Sequence, residues 1–349
     1  MFLVDLIQTD ALSANFKDTR QHKESILFAM IGPILFGLLV GLKNEALESC
    51  GGMDKIRLRE LARNYREGSG DCGICFEYAV HSAIRNQNPL VMERIQAALA
   101  MCGVTGKNTT SILLGFEKSK ILQINEELLN VLTDNSRLVT GPYGETIKIR
   151  EYLERMQASF RSSRARRTLP VSISGIWKSD LFIGNMDTDL WVAASVKINP
   201  LALESADGLT IGIVPARWDK ESPCQRKNGM VVCPLLYQNG FVQYFYSAWR
   251  IVFEFIHNDA YVPHERYLGG VEELWAAKYL EQRRDLPVLE LIEDDLKRLA
   301  HPSLVELDRK CARTSDSCNR FSVQEPTNST LIVPDPIRQP PCHFPFNRM

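Results

Sequence analysis

Residues 178–199 read KSDLFIGNMDTDLWVAASVKIN, and the pattern inside this stretch decides the fold. Asp180 to Gly184 and Leu190 to Ile198 are rich in branched and aromatic residues, as strands are, and NMDTD between them supplies turn formers. Side chains alternate between the faces of a strand, so Ser195 and Lys197 point together. Val196 points away, with its carbonyl still available. Asp180 opens the first strand, and a hairpin with this loop brings it beside Lys197.

Downstream, Leu201 to Ser205 reads as a short helix, followed by strands at Leu209 to Val214 and Met230 to Tyr237. Phe241 to His257 has the pattern of an aromatic amphipathic helix, and Val271 to Arg284 and Leu289 to Leu299 are two more. From about Thr314 the chain turns polar and then Pro-rich (VPDPIRQPPCHFPF), the composition of a poorly ordered tail.

Upstream, Val171 to Trp177 has strand composition, and Ile147 to Arg167 is a basic, helical connection. Further back lie helical patterns at Ile56 to Arg66, Val91 to Cys102 and Glu126 to Leu132. Gly68-Ser69-Gly70 breaks the first of these, and Asp71 is expected to cap a helix over Gly73 to Asn86, GICFEYAVHSAIRN. The expected architecture is therefore an α/β protein. Residues 1–70 form an N-terminal helical region, and 71–260 a core with a helical insertion at about 87–170. C-terminal helices occupy 261–313, and 314–349 is the flexible tail.

The 349 residues are 45% apolar and 24% charged, which suits a packed globular protein. With 41 basic against 42 acidic residues, a generally basic nucleic-acid coat is excluded, though a local basic face is not. Nine cysteines without a repeating frame point to reduced thiols in a cytoplasmic protein. Ile26 to Leu42 (ILFAMIGPILFGLLVGL) is an uncharged apolar run at the short end for a membrane span. The polar stretch before it and the lack of a small-residue cleavage site fit a secretory signal poorly. A buried core helix is the expectation, with no membrane partner.

Phosphodiester hydrolysis needs a cation to offset charge at phosphorus and an activated water. Mg²⁺ prefers carboxylate and carbonyl oxygens and keeps several waters. Asp180 on one strand, Ser195-Val196-Lys197 on the next, and Glu77 on the GICFEYAVH helix give that chemistry a compact form. His81 lies four residues beyond Glu77 on the same helix face, and is expected to be a satisfied polar residue before a general base.

This order of Glu on a helix, Asp on a strand and (D/E)XK on the next strand resembles the PD-(D/E)XK nuclease superfamily. The resemblance covers Gly73 to Asn86 and Val171 to Pro215. It implies a restriction-endonuclease-like αβββαβ core with N-terminal and C-terminal helical portions. It also implies an endonuclease that hydrolyses DNA with Mg²⁺ or Mn²⁺, in restriction or antiviral (phage) defence, working as a homodimer. Asp180, Glu77 and the Val196 carbonyl would hold the metal. Lys197 would orient water or stabilise charge on the phosphate. Two positions depart from the family pattern: Ser179 stands where proline is usual, and Ser195 where a second carboxylate is usual. The second departure implies weaker metal binding or a catalytically inactive DNA-binding descendant.

Two arginine groups are candidates for phosphate contact, Arg59, Arg63 and Arg66 on one helical stripe and Arg161, Arg164, Arg166 and Arg167 in the basic connection. The plainer reading of each is a solvated face. A different chemistry is carried by Gly73-Ile74-Cys75-Phe76-Glu77-Tyr78-Ala79, which resembles the Gly-x-Cys-x-Glu-x-Ala stretch of transglutaminase-like and papain-like enzymes. There Cys75 would be the nucleophile at a helix start, and His257 and Asp259 are close in sequence but lie at a helix end without a clear strand motif. Cys72 with Cys75, and Cys224 with Cys233, are a weak zinc pattern.

Overall fold

The protein is described by a computed structural model covering residues 23–68, 70–114, 128, 131–141, 144–216, 223–238 and 240–300. It is a mixed α/β structure that divides into two compact units. Among the described residues, one holds 23–35, 42–66 and 246–300, and the other those within 36–41 and 67–245.

Three helices open the described chain: α1 (Lys23–Val40), α2 (Asn44–Ser49) and α3 (Leu58–Asn64). Two more, α4 (Asp71–Arg85) and α5 (Pro89–Met101), precede the first strand, β1 (Thr109–Leu113). Then come β2 (Arg137–Val139), β3 (Thr146–Lys148), α6 (Ile149–Arg161) and α7 (Ser163–Arg166). The quoted stretch forms β4 (Leu181–Asn185) and β5 (Leu190–Val196). Beyond it lie β6 (Leu209–Pro215), β7 (Gln225–Lys227), β8 (Met230–Leu235), α8 (Phe241–His257) and α9 (Val271–Gln282).

In the first unit the apolar run of α1 is interior: Ile31, Ile34 and Leu35 are fully buried. By length and composition α1 would also be long enough to cross a membrane, but 67% of it is buried inside the protein. Phe28 meets Trp275 and Tyr279 of α9 edge-on, each at 5.1 Å. A one-residue bridge between Arg57 and Pro287 ties the start of α3 to the segment before the last helical turns.

The second unit is built on an eight-stranded mixed sheet in the order β1-β4-β5-β6-β8-β7. β4 runs antiparallel to both its neighbours, β1 and β5, whereas β6 runs parallel to β5. A parallel return needs a crossover, which residues 197–208 provide with one short 3₁₀ turn, Pro200–Ala202. β2 pairs with the first half of β5 on the edge that β6 takes further along. Both faces are covered. Ile112, Phe182, Trp191 and Ala193 pack with Ile149, Leu153, Met156 and Phe160 of α6. Ser111, one residue from Ile112 and so on the opposite face, bonds to His81 of α4. Gly184 sits directly across from Trp191, and any Cβ there would lie 2.4 Å from the indole.

Most expected elements stand within a residue or two of their places, with three corrections. Val171 to Trp177 is not a strand but two 3₁₀ turns, Val171–Ile173 and Ile176–Lys178. Its buried residues, Ile173 and Ile176, are spaced by three rather than two, and the Gly175 amide leaves to bond Asp207. The sheet instead takes β1, with β2 and β3, from the span expected to be a helical insertion. Asp71 does not cap α4: Gly70 is the cap, with φ 109°, and the Asp71 carboxylate accepts the Gly68 amide at 2.8 Å. The Pro-rich tail, Cys311, Cys318, Cys342 and most of Glu126 to Leu132 lie outside the described residues.

Candidate active site

The site lies where β4 begins and β5 ends. Leu181 pairs with Ala194, so Asp180 stands opposite Ser195, and the Asp180 amide continues the ladder to the Ala194 carbonyl at 2.9 Å. Directly opposed residues share a face, and the diagonal neighbour two positions on is within reach of a long side chain. The Ser195 hydroxyl therefore donates to Asp180 Oδ2 at 3.0 Å, and Lys197 Nζ donates to the same oxygen at 2.7 Å. Amides alternate sides along a strand. Lys197 sends its own to Ile213 of β6, and Val196 sends its to Asp180 Oδ2 at 2.7 Å. One carboxylate oxygen thus receives three donors from three consecutive residues.

Glu77 arrives from α4. Its Oε1 accepts from Lys197 Nζ at 3.3 Å, so the ammonium bridges two carboxylates. Both acids are nearly enclosed, with side chains 12% (Glu77) and 11% (Asp180) exposed. Burial pushes the Glu77 carboxyl up to about 8, the Asp180 charge adds to the rise, and Lys197 partly offsets it. Burial alone would lower the Lys197 ammonium. Glu77 and Asp180 outweigh it and hold Lys197 above the ordinary lysine range.

Asp180, Ser195 and Lys197 line a cleft of about 410 Å³. Its other walls include Phe160, Arg166, Trp177 and Lys178. Of these only Arg166 was a candidate from sequence. Lys178 stands two residues before Asp180, close enough to have been a signal. It pairs with Glu204 at 2.7 Å. Trp177 was hidden by the strand-like composition of its segment.

The other candidates fall elsewhere. His81 is buried, bonds Ser111 through Nδ1 at 2.9 Å, and is held neutral, its pKa lowered to about 3 by burial and by Arg85. Cys75 is fully buried, and burial, then Asp71 and Glu77, push its thiol well above the usual range, the reverse of what a nucleophile needs. Asp259 pairs with Arg63 at 3.6 Å, and His257 Nδ1 lies 2.9 Å from the Phe253 carbonyl. Arg59 pairs with Asp285 at 2.6 Å, and Arg66 bonds the carbonyls of Arg63 and Tyr65. These three arginines belong to the first unit, whereas exposed Arg161, Arg164 and Arg167 belong with the cleft in the second.

Asp180 Oδ1 and Glu77 Oε2 receive no hydrogen bond among the described residues. Two neighbouring carboxylates, one forced to hold a proton, are also the electrostatic situation a divalent ion relieves. Among the described residues no group of three or more His, Cys, Asp and Glu side chains forms a metal set, and the six described cysteines are unbridged. An ion here would lean on two carboxylates, a carbonyl and water, which suits Mg²⁺ and not zinc.

No protein-family model, no curated protein and no solved structure matches this chain.

Proposed function

We propose that the chain is a Mg²⁺-dependent endonuclease of the restriction-endonuclease-like kind, acting on DNA phosphodiester bonds. The observation that carries this reading is the Lys197 ammonium held 2.7 Å from Asp180 and 3.3 Å from Glu77 at the floor of an open cleft. The order of elements supports it. A helix bearing Glu77 precedes β1, β4 and β5, of which β4 lies in the middle and runs antiparallel to the other two, and β6 returns parallel to β5. In this reading that sequence stands for the αβββαβ order, with a 3₁₀ turn in place of the second helix, with α5 added before the first strand and with β2, β3, α6 and α7 inserted after it.

In this reading Asp180, Glu77 and the Val196 carbonyl would hold Mg²⁺ or Mn²⁺, directly or through water, and the ion would supply charge neutralisation at the phosphate and a more acidic water. The protein's own residues do the rest. Ser195, through Asp180 Oδ2, and the Val196 amide fix the carboxylate through one oxygen. Lys197 donates to the oxygen on which charge develops, or to the attacking water, and its raised pKa keeps it a donor. Glu77 holds a proton at neutral pH, and serving a cation as a ligand would require its release. Arg161, Arg164 and Arg167 supply positive field outside the cleft. A role in restriction or phage defence, a cytoplasmic location and action as a homodimer go with this reading.

The test is cleavage of supercoiled plasmid with Mg²⁺ or Mn²⁺ by the wild type and by Asp180→Asn and Lys197→Ala. Nicking by the wild type alone, with both variants folded, is the expected result. One observation favours a second reading. Ser195 offers a hydroxyl where another carboxylate would sit, and the trio is already internally paired. DNA binding without cleavage in any divalent ion would select that inactive, DNA-binding descendant.

A further inference from the structure

The cleft wall beside the reactive trio carries an arrangement that bond cleavage does not use. The Arg166 guanidinium lies over the Trp177 ring, its carbon 4.0 Å from the ring centroid. Its Nε donates to the Ser159 carbonyl at 2.9 Å. Trp177 in turn packs against the buried cluster beneath α6. No carboxylate pairs with Arg166 among the described residues, whereas Lys178, on the same ring, is paired with Glu204. The guanidinium is thus anchored at one nitrogen and backed by an aromatic ring. Its terminal nitrogens and outer face are left for a ligand.

The ligand's size and chemistry follow. About 410 Å³ is in the range of small-molecule pockets, about 300–1,000 Å³, and matches a nucleotide rather than a duplex. Leu114, Phe160 and Trp177 give the cleft apolar walls. A paired and stacked duplex turns its phosphates outward and its base faces inward, so such walls would meet nothing complementary. An unpaired nucleotide offers a base face to stack on an arginine plane and a phosphate to bond its fork.

We infer that the cleft takes an unpaired nucleotide of a single nucleic-acid strand, its base stacked on Arg166 over Trp177. The adjoining phosphate is then delivered to Lys197. The placement of that phosphate rests on the nuclease reading, but the stacking platform does not.

The test is a binding measurement with Ca²⁺ in place of Mg²⁺, so that cleavage is not the readout. The anisotropy of a fluorescein-labelled oligothymidylate is compared with that of a labelled hairpin duplex of equal charge. The single strand is expected to bind at least tenfold tighter. Arg166→Ala and Trp177→Ala should each weaken it about tenfold, in line with one lost stacking contact. Trp177→Phe should keep most of the affinity, and Arg166→Lys, which lacks the plane, should not. Arg166 is half-exposed, so its variants decide the matter even if Trp177→Ala fails to fold. Equal or tighter duplex binding, or single-strand binding untouched by either folded Arg166 variant, overturns the inference. So does displacement of the oligonucleotide by thymidine monophosphate at equal concentration, which would make the ligand a free nucleotide. A protein that binds the single strand as described yet cuts no DNA refutes the nuclease reading alone.

Discussion

Asp180 and Ser195 face each other across the antiparallel pair β4–β5, and the Ser195 hydroxyl, 3.0 Å from Asp180 Oδ2, occupies the place where another carboxylate would crowd two existing ones. Serine there lowers the negative charge of a site that already forces Glu77 to hold a proton.

Ser195→Asp therefore has opposite effects with and without metal. In EDTA the added charge sits beside Asp180 and lowers the melting temperature by several degrees. With Mg²⁺ the extra ligand raises it, and titration calorimetry should show at least tenfold tighter ion binding. A variant whose stability ignores Mg²⁺ would argue against a cation at this position.

Asp180 also closes the end of β5. Asp180→Ala leaves the Val196 amide, the Ser195 hydroxyl and the Lys197 ammonium without their shared acceptor. Breaking a buried, hydrogen-bonded ion pair costs on the order of 3–5 kcal/mol. Asp180→Asn keeps an acceptor oxygen and should lose clearly less. Urea unfolding of the two variants measures the difference, and equal losses would mean that charge alone, not the bonds to Ser195 and Val196, holds the strand end.

Glu77 makes stability depend on pH in a definite direction. Its folded pKa, about 8, lies above the ordinary 4.5, so the fold binds a proton that the unfolded chain has released. That contribution is complete below about 4.5 and is lost as pH rises through about 8. Glu77→Gln removes it. The melting temperature of the variant, taken relative to the wild type, should climb between pH 5 and pH 9. A flat difference would place the Glu77 pKa in the ordinary range, and a falling one below it.

Among the thiols, Cys224 stands apart. A hydrogen bond from Cys233 brings it down to about 7, against burial and with help from Arg94, while burial pushes Cys102 to about 11 and Cys75 higher than usual. Brief iodoacetamide treatment at pH 7.5 should label Cys224 well before Cys75 or Cys102, as read by peptide mass spectrometry. Cys233→Ala should slow that labelling.

The trio was legible because its geometry is a strand property. Spacing by two puts Ser195 and Lys197 on one face, and a short turn brings Asp180 opposite. The same local logic located α8 to the residue. It failed at Val171 to Trp177, where branched residues imitate a strand but a spacing of three and the Gly175 bond to Asp207 turn the chain into 3₁₀. It missed β1 because Thr109–Leu113 becomes a strand through its partner β4, a contact 68 residues away at Leu113–Leu181 that no local pattern announces. Arg166 was legible as a basic residue, but not its stack on Trp177, since the two are joined only by the packing of α7 on the following turns. The separation of Arg59, Arg63 and Arg66 into the first unit depends on the return of the chain at Asp259 and Asp285.

The Val196 amide has a consequence beyond holding Asp180. Its neighbours in β5 are protected by backbone partners, whereas its own acceptor is a side-chain oxygen in the site. Its rate of exchange with deuterated solvent is therefore tied to Asp180 and not to the opening of the sheet. Whatever draws that carboxylate away from the strand end will be registered, proton by proton, on the Val196 amide.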